Sequence, residues 1–241
     1  MFVLVTGFGE PHWDHKVSIL SHNLRKITEH PWEHLHVRVC QYESRETHRI
    51  PEDLVSKYNL DIVYSPGIVG DFIRLFGVPS DLQGNFTHVL LLLDDVEMVK
   101  IDFEQALTYQ RDLSLDLLSL CMTLDSKCVN PYMLVDSVPD IRVTTVCEYF
   151  WYLFPMSGYV KYYPHVSQDN PWMWGLDLVL HKHLKLNVGI LGNMTMRHWY
   201  SGTSYSRRPD RDPWVGFRDC LTRYSETGES VASQKVVLYY R

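Results

Sequence analysis

Four consecutive leucines ending in two adjacent aspartates constrain this chain more than any other feature. Residues 86–99 read FTHVLLLLDDVEMV. The apolar run has the length of a strand, and it lacks the alternation of a half-exposed one, so it reads as a strand buried on both faces. Such strands belong to α/β sheets that carry helices on either side. Asp94, Asp95 and Glu97 then fall where the strand exits into a loop. In open α/β sheets, ligands bind in the crevice beyond the carboxyl ends of the strands. Carboxylates this close repel one another unless a cation joins them. Hard divalent ions such as Mg²⁺ or Mn²⁺ take oxygen ligands and share them with substrate phosphates. The stretch therefore predicts a metal-bridged phosphate site. On these residues alone, a strand followed by a solvated acidic turn is the alternative.

The residues around this strand alternate between strand and helix patterns. FVLVTGF at 2–8 reads as a first buried strand, with Gly7 and Gly9 in a tight turn. Trp13, Val17, Leu20, Leu24 and Ile27 recur at helical spacing over 13–28. A second strand is predicted over 34–42, a short helix after Pro51, a short strand at 61–65 and a helix near 68–76. This order predicts a parallel α/β sheet. Beyond the acidic turn, 102–112 reads as helix, 115–122 as strand, and 141–160 as strand plus short helix. Residues 175–186 place Leu176, Val179, Leu180 and Leu184 on one helical face. Residues 188–191 and 194–198 read as short strands or as one interrupted strand. From Ser201 to Asp212 the chain turns to Ser, Gly, Arg, Pro and Asp, the composition of a loop or lid.

With 241 residues the chain is long enough for one large domain, and 45% hydrophobic residues suit a sizeable core. The net charge of −6 and the lack of any basic run longer than Arg207–Arg208 argue against nucleic-acid binding. The five cysteines are far apart and lack CxxC spacing, so they form neither a disulfide framework nor a zinc site. The amino terminus lacks the basic leader of a signal peptide, and no apolar run reaches membrane-spanning length. A cytoplasmic location is the expectation.

Three further places offer chemistry. The turn Thr6-Gly7-Phe8-Gly9 carries only two glycines of a dinucleotide fingerprint, but its backbone can hold a nucleotide base. In QDNPWMWGLD, at 168–177, Trp172 and Trp174 precede Gly175, and Asp177 falls in the first turn of the predicted helix. The helix dipole there favours an ionised carboxylate. An ionised carboxylate beside an aromatic platform suits a general base acting on a sugar hydroxyl. Helix capping by Asp177 and core packing by the tryptophans is the structural alternative. Third, His198 closes the last predicted strand, where an imidazole can complete a carboxylate-rich metal site.

Together, Asp94-Asp95-Val96-Glu97, Trp174-Gly175-Leu176-Asp177 and His198 resemble the GT-A-type glycosyltransferases. These enzymes move a sugar from a nucleotide-diphosphate donor. The order of DLLSLCMTLDS, VCEYFWYLFPM, WGLD and MRHWY is similar to that of a little-characterised glycosyltransferase-like family of plants, bacteria and algal viruses. The resemblance spans roughly residues 60–200. Against a strict DxD, either Leu93 replaces the first Asp or the pair is Asp95 and Glu97.

The resemblance implies a single GT-A-like α/β domain, with a mixed, mostly parallel central sheet flanked by helices. Residues 1–99 would form the nucleotide-binding half, 100–200 the acceptor side, and 201–241 the lid loop and carboxyl-terminal segment. It further implies Mn²⁺ or Mg²⁺ held by Asp95, Glu97 and His198, with Asp177 as the base of an inverting transfer to a carbohydrate hydroxyl. Thr6, Gly7, Phe8, Gly9, Asp71, Arg74, Asp94 and Asp95 would contact the nucleotide diphosphate, and Glu148, Trp172 and Trp174 the acceptor. An inactive sugar- or protein-binding domain is one rival reading. A nucleotidyltransferase is another, although it usually needs a basic residue in the first turn, and none stands near Gly7–Gly9 in the sequence.

Overall fold

The computed structural model describes residues 1–42, 48–127, 130–135, 140–200 and 212–226, together with the backbone of a last strand at 238–240. The first half alternates as its patterning predicts: β1 (Phe2–Phe8), α1 (Trp13–Thr28), β2 (His36–Gln41), α2 (Glu52–Tyr58), β3 (Asp61–Tyr64), α3 (Val69–Phe76), the short α4 (Pro79–Leu82) and β4 (His88–Leu93). All seven residues of β1 are buried, and so are the four central residues of β4. That is why neither strand shows a polar alternation. Each such Val or Leu removed from water stabilises the fold by about 1.5–3 kcal/mol.

The second half comprises β5 (Val96–Lys100), α5 (Phe103–Asp112), β6 (Leu117–Met122), β7 (Ile141–Thr144), β8 (Trp151–Pro155), α6 (Met156–Tyr162), β9 (Val188–His198), α7 (Pro213–Arg223) and β10 (Leu238–Tyr240). Two helix starts follow from local chemistry. The Asp102 side chain accepts from Gln105 N at 3.0 Å and caps α5, and Asp212 accepts from Trp214 N at 2.9 Å and caps α7 with Pro213 behind it.

Among the described residues, one ten-stranded sheet runs β10-β7-β9-β6-β8-β4-β1-β2-β3, with β5 paired to β9 off this path. The strands β4, β1, β2 and β3 are mutually parallel, as are β6 and β9. The strands β8, β7, β10 and β5 run antiparallel to their neighbours. The result is the mixed central sheet flanked by helices that was expected. Asn23 fastens α1 to β5: its Nδ2 donates to Val96 O at 2.7 Å, and its Oδ1 accepts from Met98 N at 2.8 Å.

Three local expectations are corrected. The chain does not leave the sheet after Asp95. It reverses over Asp94–Asp95 and re-enters as β5, so Glu97 lies in a strand opposite Arg197 rather than in a loop. Residues 188–198 form one strand, whose pairing with β6 shifts register between Leu120 and Cys121. Residues 175–186 do not form a helix. Only Leu176–Leu178 make a short 3₁₀ turn, which ends where Val179 leaves the helical region (φ −110°, ψ 3°), and the chain continues in turns to Leu184. Leu176, Val179, Leu180 and Leu184 still bury their side chains, through turns. The segment 201–211, most of the expected lid, lies outside the described residues.

Candidate functional site

The carboxyl end of β4 opens into a cavity of about 570 Å³, a size usual for small-molecule sites. It is lined by Thr6, Gly7 and Tyr42 near the ends of β1 and β2, by Asp94, Asp95 and His198 near the ends of β4 and β9, and by Glu148, Trp172, Trp174 and Asp177. Residues predicted from three separated motifs thus share one chamber.

Near the end of β1, Thr6 Oγ1 donates to Leu92 O at 3.4 Å and lies 3.3 Å from the Tyr149 hydroxyl. Gly7 has φ +84°, and a Cβ there would sit 2.8 Å from Tyr42 Oη. The turn therefore needs glycine for both conformation and space. Phe8 does not reach the cavity. It is fully buried and packs edge-on against Trp13 at 5.1 Å, because its strand position faces the core. Gly9 presents its carbonyl to Lys16 Nζ at 2.7 Å.

Lys16 is the main residue missed by the sequence reading. It is 2% exposed, lies in the first turn of α1, and places Nζ 2.6 Å from Asp94 Oδ2. A basic residue does therefore stand beside the Gly7–Gly9 turn once the helix has folded back over β1. Its signal was its place on the stripe 16, 20, 23/24, 27, which α1 buries. Removing one member of such a buried pair costs about 3–5 kcal/mol.

Asp95 and His198 form the second buried pair, at 6% and 9% exposure, with Asp95 Oδ2 3.3 Å from His198 Nε2. The Lys127 carbonyl accepts from His198 Nδ1–H, which fixes the tautomer and leaves Nε2 facing the carboxylate. Two lone-pair atoms at this distance need a proton or a cation between them. Burial pulls the imidazole down, but hydrogen bonding and charge from Asp95, helped by the Lys127 carbonyl, outweigh it and hold it above the usual histidine range. A carboxylate suits Mn²⁺ or Mg²⁺, and the imidazole beside it favours the transition metal Mn²⁺ of the two. Among the described residues no three His, Cys, Asp or Glu side chains form a metal cluster, so phosphate and water oxygens would have to complete the shell.

Glu97 does not join this group. Its Oε2 accepts from Trp199 Nε1 at 2.9 Å and lies 3.8 Å from Arg197 Nη1, at the foot of β5. Asp71 and Arg74 also stay outside the cavity lining. The Asp71 carboxylate accepts from Ile68 N at 3.1 Å and caps α3, 4.0 Å from Arg74 Nη1. Their helix presents Ile68 and Val69 to the chamber instead.

Asp177 lies in the short 3₁₀ turn that follows the left-handed Gly175. No helix dipole holds it ionised there. Burial first, and the nearby Glu148 charge second, push its carboxyl up to about 7, against backbone N–H groups of Asp177, Gly175 and Leu178 that pull it down. Asn130 Nδ2 donates to Glu148 Oε1. Trp172 is 8% exposed, and its Nε1–H has no acceptor among the described residues. Trp174 meets Trp214 of α7 edge-on at 5.1 Å, and Trp214 and Phe217 complete this wall. These α7 residues lie some 40 positions from Trp174 in sequence, and no local motif announced them.

No protein family matches the sequence, and neither does any curated protein. Solved structures do resemble the fold. S. aureus TarS aligns over 92% of this chain and 43% of its own, with a TM-score of 0.54 and 12% identity. The TarS 1–349 structure aligns over 93% of this chain and 72% of its own, with a TM-score of 0.50 and 14% identity. The same portion in complex with UDP aligns over 95% and 73%, with a TM-score of 0.50 and 12% identity. The chain therefore spans less than half of full-length TarS. It shares a GT-A-like α/β fold with them. Among the described residues, no helix is long and apolar enough to cross a membrane.

Proposed function

We propose that this protein is a metal-dependent glycosyltransferase that moves a sugar from a nucleotide-diphosphate donor to a carbohydrate hydroxyl, with inversion. The observation that carries this reading is one chamber lined both by an acid–imidazole pair and by a near-neutral carboxyl with tryptophans beside it in the chain. The glycine turn at Gly7, with Thr6 and Tyr42, would take the nucleoside. Asp95 and His198 would hold Mn²⁺ or Mg²⁺, which supplies Lewis-acid neutralisation of the leaving diphosphate. Asp177 would accept the proton of the attacking hydroxyl. A carboxylate with a pKa of about 7 is far better matched to that task at neutral pH than an ordinary aspartate. Glu148, Trp172 and Trp174 would orient the acceptor, the indole N–H of Trp172 offering a donor to a sugar oxygen.

Calorimetry with UDP and GDP, with and without Mn²⁺, tests the reading. UDP is chosen because the TarS portion was solved with it. Tighter binding of one diphosphate with Mn²⁺, and slow Mn²⁺-dependent hydrolysis of its nucleotide sugar, are the expected outcomes. Absence of binding by either nucleotide in both conditions would overturn it. Lys16 beside the first turn favours a second reading, a nucleotidyltransferase. Release of pyrophosphate from a nucleoside triphosphate in the presence of a sugar phosphate would identify that activity instead.

A further inference from the structure

We propose that Lys16 is a built-in cation for the donor diphosphate, so that part of the affinity for a diphosphate needs no metal ion. The inference deepens the nucleotide-diphosphate reading above and rests on it for the identity of the ligand. An ammonium group has three donors and no acceptor. One of those of Lys16 goes to Gly9 O at 2.7 Å, the ammonium is ion-paired with Asp94 Oδ2 at 2.6 Å, and it meets no further acceptor among the described residues. The side chain is 2% exposed and forms part of the cavity lining, between the glycine turn and the acidic pair. A buried donor with open valence is costly unless water or a ligand completes it. The position also explains what Asp94 does. Ion-paired to Lys16, its carboxylate aims the ammonium and is not free to lead a metal site, which leaves that task to Asp95 and His198.

The alternative is a purely structural pair that ties α1 to the turn after β4. The two differ in ligand chemistry. A structural pair affects every ligand alike, whereas a diphosphate donor distinguishes UDP from uridine. Binding is measured in EDTA for uridine, UDP and inorganic pyrophosphate, on wild type, Asp94→Asn and the double variant Lys16→Met/Asp94→Asn. The double variant removes both charges together, so no buried charge is left unpaired to unfold the chain. Wild type and Asp94→Asn should bind UDP more tightly than uridine without metal, and should bind pyrophosphate measurably. In the double variant the UDP and pyrophosphate affinities should fall about ten-fold relative to Asp94→Asn, with uridine changed less than about two-fold, as expected for loss of one charge-assisted hydrogen bond. Equal affinities of the single and double variants for UDP and pyrophosphate would overturn the proposal, as would an equal loss for uridine. If wild type binds pyrophosphate through Lys16 but no nucleotide under any condition, the transferase reading fails while the cation site stands. If it binds UDP only with Mn²⁺ and pyrophosphate not at all in EDTA, the cation site fails while the transferase reading stands.

Discussion

Replacing Asp177 by Asn should make the protein more stable and much less active at once. The carboxyl is displaced from 3.8 to about 7, which at about 1.4 kcal/mol per pH unit corresponds to about 4 kcal/mol against the ionised form. Asp177 borders a cavity that admits water, so about half of that, about 2 kcal/mol, is a sounder expectation. The sign follows from proton counting. Below pH 3.8 the folded and unfolded chains both hold the proton, and Asp177 costs nothing. Between pH 4 and about 7 the unfolded chain has released it and the folded chain has not, so stability falls as pH rises. Above about 7 the full cost is present. Asn keeps the shape and can still accept from the backbone N–H groups, but it never ionises. Denaturant unfolding at pH 8 should therefore show Asp177→Asn about 2 kcal/mol more stable than wild type, a rise of about 4–8 °C in Tm for a chain of this size. At pH 5 the gain should shrink to about 1.5 kcal/mol. Transfer should drop by about 10² to 10⁴, and UDP affinity should stay within a few-fold. A variant as stable as wild type at both pH values would refute the argument from burial. Turnover within a few-fold of wild type would remove Asp177 as the base.

Two further substitutions separate the acidic residues: Asp95→Asn should abolish the Mn²⁺-dependent gain in UDP affinity by calorimetry. Glu97→Gln should leave that gain within about three-fold and cost less than about 1 kcal/mol of stability, since its partners are Trp199 and a half-exposed Arg197. A loss of Mn²⁺ affinity in Glu97→Gln as large as in Asp95→Asn would return Glu97 to the metal site. Gly7→Ala should cost about 1–3 kcal/mol in urea unfolding, from the left-handed backbone and the approach to Tyr42. A neutral result would mean that Tyr42 moves aside freely and that the turn is not shaped by that contact.

The parallel half of the fold was legible because β1 and β4 are covered on both faces and α1 shows its apolar stripe, so local pattern and final burial agree there. Asp94, Asp95 and His198 were legible for the same reason, each closing an apolar strand. Glu97 was misplaced because Val96 and Met98 are as buried as β4 itself, and only their pairing with β9 tells a strand from a loop. Asp177 was found at the right position with the wrong environment. Periodicity alone cannot separate a helix from a series of turns that bury the same leucines, and only the fold shows that Gly175 turns left-handed beside Phe217 and Cys220. Lys16 was overlooked because a lysine in a helix usually faces water. Its partner lies 78 residues away, in the turn after β4.

The reversal at Asp94–Asp95 has a mechanical side. The residue before it belongs to β4, beside β1, while the strand after it is laced to β9, which carries His198. Trp199 N donates to Asp95 O at 3.1 Å, and Asn23 clasps β5 from α1. The two acidic residues are thus a short strap stretched between two walls of the chamber, pegged at both ends. A ligand gripping both walls would tighten the strap. Amide exchange at Val96, Met98 and Trp199 should slow when the chamber fills. Asn23→Ala, which touches no ligand, should loosen the peg and blunt that response.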